Sequence, residues 1–139
     1  MKIICIGMNY RKHIEELSFN VSQEPIFFLK PDTALIHNNM PFFIPDFSDE
    51  IHYELELVLK ISRVGKHIQR KFALSYISDI GLGIDFTARD IQKDCIDKGL
   101  PWEKCKSFDF SAPVGSFIPI SEIENLKNIN FSLRKNDII

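Results

Sequence analysis

Cysteine is scarce in this chain. Cys5, Cys95 and Cys105 are the only three in 139 residues, and no two form a CxxC pair. An odd, scattered set favours reduced thiols in a cytoplasmic protein over a disulfide scaffold. Long hydrophobic runs are missing too, since none approaches the ~20 residues that cross a bilayer. The N-terminal Ile3-Ile4-Cys5-Ile6 is too short for a signal-peptide core and gives way at once to Asn9, Tyr10 and Arg11. Nor does one sign of charge dominate: 17 Lys and Arg stand against 19 Asp and Glu, for a net charge of −2. That balance leaves no electrostatic footprint for nucleic acid or an anionic membrane. The one basic cluster, Lys66 to Lys71 with His67 and Arg70 inside it, reads as a solvated face. Repeats, low-complexity tracts and linkers are absent, so residues 1–139 are expected to form a single domain large enough for its own core.

What is present is apolar and aromatic. Hydrophobic residues make up 45% of the chain, and 12 of them are Phe, enough for a substantial aromatic core. Strands are predicted at Lys2 to Ile6 and Ile26 to Lys30, the latter stopped by Pro31-Asp32. Phe42 to Ile44, between Pro41 and Pro45, reads as a short edge strand. Gly81 to Phe86 and Asn130 to Arg134 read as further strands, with helices around Tyr10 to Leu17, Gln69 to Ile77 and Thr87 to Asp97. Gly99 to Trp102 is a loop. Lys135-Asn136-Asp137 reads as a hairpin turn whose return strand, Ile138-Ile139, has barely begun. An edge left unpaired in that way is one that proteins avoid, so the fold is expected to continue past Ile139.

The stretch His52-Tyr53-Glu54-Leu55-Glu56-Leu57-Val58-Leu59 carries the most chemistry. It alternates as a strand does. Ile51, Tyr53, Leu55, Leu57 and Leu59 fall on one face, which a core would bury, while His52, Glu54 and Glu56 fall on the other. Carboxylates two residues apart lie roughly 7 Å from each other and repel unless solvent screens them or a cation sits between them. Asp85, at the end of another predicted strand, could supply a third acid. Three carboxylates suit Mg²⁺, Mn²⁺ or Ca²⁺ and suit zinc poorly. A solvated acidic face remains the plainer reading of the spacing.

Other residues admit the same double reading. His13 and Glu16 lie three apart on a predicted helix, so they share a face. A carboxylate beside an imidazole fixes its tautomer and raises its basicity, as a water-activating base requires; a plain surface contact has the same spacing. Lys30 and Lys106, in apolar company, could hold an anionic substrate or be snorkelling structural lysines. Arg89 and Gln92 share a helix face and could line the same pocket. On residues alone, a divalent-metal hydrolase or lyase is as far as the reading goes.

Taken in order, the segments Gly7-Met8-Asn9-Tyr10 with His13 and Glu16, Phe28-Leu29-Lys30-Pro31, and His52 to Leu57 form a pattern. It continues through Gly83-Ile84-Asp85-Phe86-Thr87-Ala88-Arg89-Asp90, Lys98-Gly99-Leu100-Pro101-Trp102 and Lys106-Ser107-Phe108-Asp109. The pattern resembles the fumarylacetoacetate hydrolase family, in its short acylpyruvate-hydrolase and oxaloacetate-decarboxylase-like members, over Lys2 to about Asn136. The resemblance implies a mainly β fold with short helices (α+β), a mixed β-sandwich or roll, incomplete at its C-terminal end. It implies Mg²⁺ or Mn²⁺ on Glu54, Glu56 and Asp85, and a His13–Glu16 dyad on a lid-like segment. Lys30, Gln92 and Lys106 would surround the substrate, and the protein would be a homodimer. The activity implied is hydrolysis of a C–C bond in an acylpyruvate-type 1,3-diketo acid, giving pyruvate and a carboxylic acid. Oxaloacetate decarboxylation, a hydroxymuconate-type isomerisation and a non-catalytic metal-binding fragment are the alternatives.

Overall fold

The computed structural model describes residues 1–10, 24–37, 39–126, 128–136 and 138. Strands β1 (Ile3–Gly7) and β2 (Ile26–Lys30) pair antiparallel, with Ile3 opposite Lys30 and Gly7 opposite Ile26. The second sheet has four strands in the order β3–β6–β5–β4. These are β3 (Leu35–Ile36), β4 (Ile51–Ile61), β5 (Ile77–Ala88) and β6 (Ala112–Pro119). β3 runs parallel to β6 and the other pairs are antiparallel, so the sheet is mixed. Helix α1 (Arg89–Asp97) follows β5, and a single turn, α2 (Glu103–Lys106), precedes β6. The fold is thus mainly β with short helices, as expected. No helix among the described residues is long and apolar enough to cross a membrane.

Local chemistry sets the boundaries. Thr87 and Ala88, predicted to open the helix, stay in β5 because they pair with His52 and Ile51; α1 starts where the Arg89 N–H donates to the Glu50 carbonyl, 2.7 Å away. Its other end is a Schellman cap. Gly99 sits at φ +62°, its N–H donates to the Ile96 carbonyl (3.2 Å), and the Leu100 N–H donates to the Cys95 carbonyl (2.7 Å).

Four expectations are corrected. Phe42 to Ile44 is not a strand, since the prolines on both sides remove ladder donors; Phe42 instead stacks on Phe86 at 3.8 Å between ring centroids. The predicted α-helix near Gln69 to Ile77 is a 3₁₀ segment, Arg70–Tyr76, with no buried residue, and a short helix without a packed face has little to hold it in the α form. Asn130 to Arg134 forms no strand, although the turn after it closes through a Lys135–Ile138 bridge. Strand β6, not predicted, is the inner partner of both β5 and β3. The predicted helix from Tyr10 to Leu17 lies, apart from Tyr10, outside the described residues.

The core also departs from expectation. The apolar face of β4 is only partly covered, with Tyr53 and Leu59 each 45% exposed. Asp85 and Thr87, on the opposite face of the neighbouring strand, are 6% and 0% exposed. Among the described residues, eight apolar and eight polar or charged side chains are buried. The interior of this chain is therefore organised as much by ion pairs as by hydrocarbon.

Candidate active site

The buried polar cluster is built on the β4–β5 pairing. Glu54 stands directly opposite Asp85, and Glu56 opposite Gly83, so the three carboxylates share one face. Gly83 is required by the close approach of its neighbours: a Cβ there would lie 2.9 Å from Val58 Cγ2 and 3.1 Å from the Pro113 carbonyl oxygen.

Cations from three separate elements converge on that face. Lys106, the last residue of α2, donates to Glu54 Oε2 (2.8 Å), Asp85 Oδ2 (2.7 Å) and Thr87 Oγ1 (2.6 Å), using all three of its N–H bonds. Lys30, the last residue of β2, lies 2.8 Å from Asp85 Oδ1. It also donates to Ser111 Oγ (2.9 Å), the Ser111 carbonyl (3.2 Å) and the Lys106 carbonyl. Arg89, at the start of α1, pairs with Glu54 Oε1, donates from Nη1 to Gln92 Oε1, and donates from Nε to His52 Nδ1 at 3.3 Å. Phe28 lies under the Lys106 ammonium, 5.2 Å from ring centroid to Nζ.

The titration behaviour follows from these neighbours. Burial alone would raise Glu54, but Lys106 and Arg89 outweigh it and hold the carboxyl below its ordinary value. Glu56 lacks such partners. Burial first, then the charges of Asp85 and Glu54, push it up to about 7 against the help of a hydrogen bond from Tyr10. The two lysines diverge: burial carries Lys30 below the ordinary lysine range, whereas at Lys106 the pull of Asp85 and Glu54 overcomes burial and raises it.

The donor chemistry fits a hard divalent cation. The three carboxylates share a face, and Asp85 Oδ1 is buried with no hydrogen-bond partner, because the Lys30 ammonium reaches ion-pair distance without hydrogen-bonding geometry. The side chains as they stand are not a closed metal cluster. Among the described residues no three His, Cys, Asp or Glu groups converge to hold an ion, since Lys106 draws Glu54 and Asp85 onto itself.

Seven of the residues proposed from sequence therefore meet in one place: Glu54, Glu56, Asp85, Lys30, Arg89, Gln92 and Lys106. Arg89 and Gln92 bind each other and Glu54, and so back a carboxylate more than they face open space. His13 and Glu16 lie outside the described residues. Sequence reasoning assigned no role to Thr87, Ser111, Tyr10 or Cys5. The Cys5 thiol is raised to about 11, by burial and then by Asp85. The first three are hydroxyls next to strand residues already singled out, but a lone Ser, Thr or Tyr carries no signal of its partner.

The family model for the fumarylacetoacetate (FAA) hydrolase C-terminal region matches residues 2–139. The chain belongs to the fumarylacetoacetate hydrolase family. It is 37% identical over 134 residues to the mitochondrial oxaloacetate tautomerase FAHD1 of Bos taurus, covering 96% of this chain and 61% of that protein. It is 40% identical over 129 residues to the mitochondrial oxaloacetate decarboxylase of Dictyostelium discoideum, covering 92% of this chain and 59% of that one. Among solved structures, the fumarylpyruvate hydrolase of Pseudomonas aeruginosa in complex with Mn²⁺ and pyruvate superposes with a TM-score of 0.81 at 34% identity, covering 89% of this chain and 55% of that one. The family member described here thus spans about three-fifths of the length of the curated relatives it matches.

Proposed function

We propose that this chain carries the cation-binding and acid-binding part of an enzyme that acts on small 2-oxo dicarboxylates of the oxaloacetate kind. The observation that carries the reading is the charge balance of the buried cluster. Three carboxylates, Glu54, Glu56 and Asp85, stand against three cations, Lys30, Lys106 and Arg89, whose ion pairs fall on Glu54 and Asp85. A buried cluster tolerates added charge only when it is neutralised. A divalent cation brought in with a doubly charged acid preserves the balance, and the oxaloacetate-acting relatives agree with that substrate class.

Glu54, Glu56 and Asp85 would hold Mg²⁺ or Mn²⁺, which when bound supplies Lewis-acid polarisation of a 2-oxo group. The remaining roles belong to the chain itself. Lys106 points its ammonium at this face, donating to Glu54, Asp85 and Thr87. It therefore serves as a fixed donor and positive charge for oxygen atoms that gain negative charge. Arg89, braced by Gln92 and His52, orients Glu54. Lys30 is enclosed at 2% exposure and holds Asp85 in place.

Hydrolysis of an acylpyruvate-type 1,3-diketo acid is the second reading, favoured by the likeness to a fumarylpyruvate hydrolase. It requires His13, oriented by Glu16, to take a proton from water before attack on the distal carbonyl. The subunit is taken as one domain of a homodimer, and the three free thiols suit a reducing compartment. The deciding experiment assays the 139-residue chain with Mn²⁺ on oxaloacetate and on an acylpyruvate, with and without His13→Ala. Turnover of oxaloacetate that survives His13→Ala supports the first reading; acylpyruvate cleavage abolished by it supports the second. Mn²⁺ binding with no turnover of either acid would leave a metal-binding fragment in their place.

A further inference from the structure

We infer that Ser111 is a positioning residue, which fixes where the Lys106 ammonium sits in the carboxylate cluster. The inference rests on the proposed function only in taking Lys106 to meet the substrate.

The placement of Lys106 is a mechanical problem. Its ammonium makes three hydrogen bonds of 2.6 to 2.8 Å, yet its backbone ends a helix of four residues. A single helical turn has almost no stability of its own. Something outside the turn must hold the Lys106 main chain.

Ser111 does so from three sides. Its hydroxyl donates to the Lys106 carbonyl at 3.1 Å and accepts from Lys30 Nζ at 2.9 Å. Its own carbonyl accepts from the Phe86 N–H at 3.0 Å and from Lys30 Nζ at 3.2 Å. Phe86 adjoins Asp85 on β5. One wholly buried serine thus ties the end of α2, the end of β2 and the carboxylate-bearing strand together. The Lys30 ammonium completes the tie by donating to the Lys106 carbonyl as well. Without the hydroxyl, that carbonyl keeps Lys30 as its side-chain donor, and Lys30 loses one acceptor in a place that water does not reach. The turn carrying Lys106 can then shift, whereas Glu54, Glu56 and Asp85 remain fixed by the β4–β5 ladder.

The test compares Ser111→Ala with Ser111→Cys, which keeps the volume but hydrogen-bonds weakly. The first readout is independent of catalysis: the ¹⁵N-detected ammonium signal of Lys106, assigned by its loss in Lys106→Met. In the unaltered chain it should be sharp and protected from exchange. In both variants its hydrogen exchange should quicken by about tenfold or more, while Mn²⁺ still binds with the stoichiometry of the unaltered chain because the ligand strand is untouched. In the second readout kcat falls about tenfold with KM nearly unchanged, short of the hundredfold that a 1 Å misplacement can cost. An unprotected Lys106 ammonium in the unaltered chain would overturn the inference, and so would full protection in Ser111→Cys. If the chain turns over no 2-oxo acid at all, the functional reading falls while the ammonium measurement still decides the role of Ser111.

Discussion

The two faces of the β4–β5 sheet contrast sharply. On one, Asp85 and Thr87 are nearly or wholly buried among Lys30, Lys106 and Ser111. On the other, Tyr53, Leu59 and Leu82 are substantially exposed. The outer side of the β1–β2 ribbon repeats the exposure, with Ile4 opposite Leu29 and Ile6 opposite Phe27, all four open to solvent. Burial is shared between the two faces, since Ile80 and Ala88 are enclosed on the apolar one, while on the other charge neutralisation encloses groups that hydropathy alone would leave in water. A polar group can be enclosed here because each has a partner, and the partners come from elements far apart in sequence.

The largest test of that contrast is Asp85→Ala. It strands two buried ammonium groups, so unfolding stability should drop by about 3–5 kcal/mol in a urea titration, and Mn²⁺ binding measured by electron paramagnetic resonance should vanish. A loss below about 1 kcal/mol, the scale of exposed ion pairs, would show that the polar face is not the organising one. Gly83→Ala comes next. Its new methyl meets Val58 and the Pro113 carbonyl, and overpacking there should cost about 1–3 kcal/mol and disturb Mn²⁺ affinity through Glu56 on the facing strand.

The interior can also be probed by pH. Cys105 is wholly buried, and burial pushes its thiol up to about 12 from 9.0. Above pH 9 the unfolded chain releases this proton while the folded chain keeps it, so stability should fall as pH rises through that range. Cys105→Ala should flatten the slope, and the thiol should resist alkylation at pH 8 in the folded protein. The smallest effect belongs to the apolar face. Leu59→Ser should change stability by no more than about 0.5 kcal/mol in the same titration. A loss of about 2 kcal/mol, the scale of burying a whole leucine, would mean that the face is covered in solution.

Much of the site was legible because strand periodicity is local. Alternation alone places Glu54 and Glu56 together, and a strand ending at Asp85 is readable from Gly81 to Phe86. Strand β6 escaped because Pro113, Gly115 and Pro119 interrupt its apolar residues. Only its position between β3 and β5 explains why it is a strand. Thr87 and Ser111 escaped for a related reason, since a hydroxyl acquires its meaning from the ammonium that meets it.

By itself, then, the sequence determined which side chains share a face, because that depends on two residues of backbone. It also supplied the ordered segments by which the family is recognised. Which face lies inside was decided by the tertiary structure alone. Lys30 and Lys106 stand 55 and 21 residues from Asp85, and only their arrival on one side of the sheet lets that carboxylate be enclosed without leaving an unpaired charge.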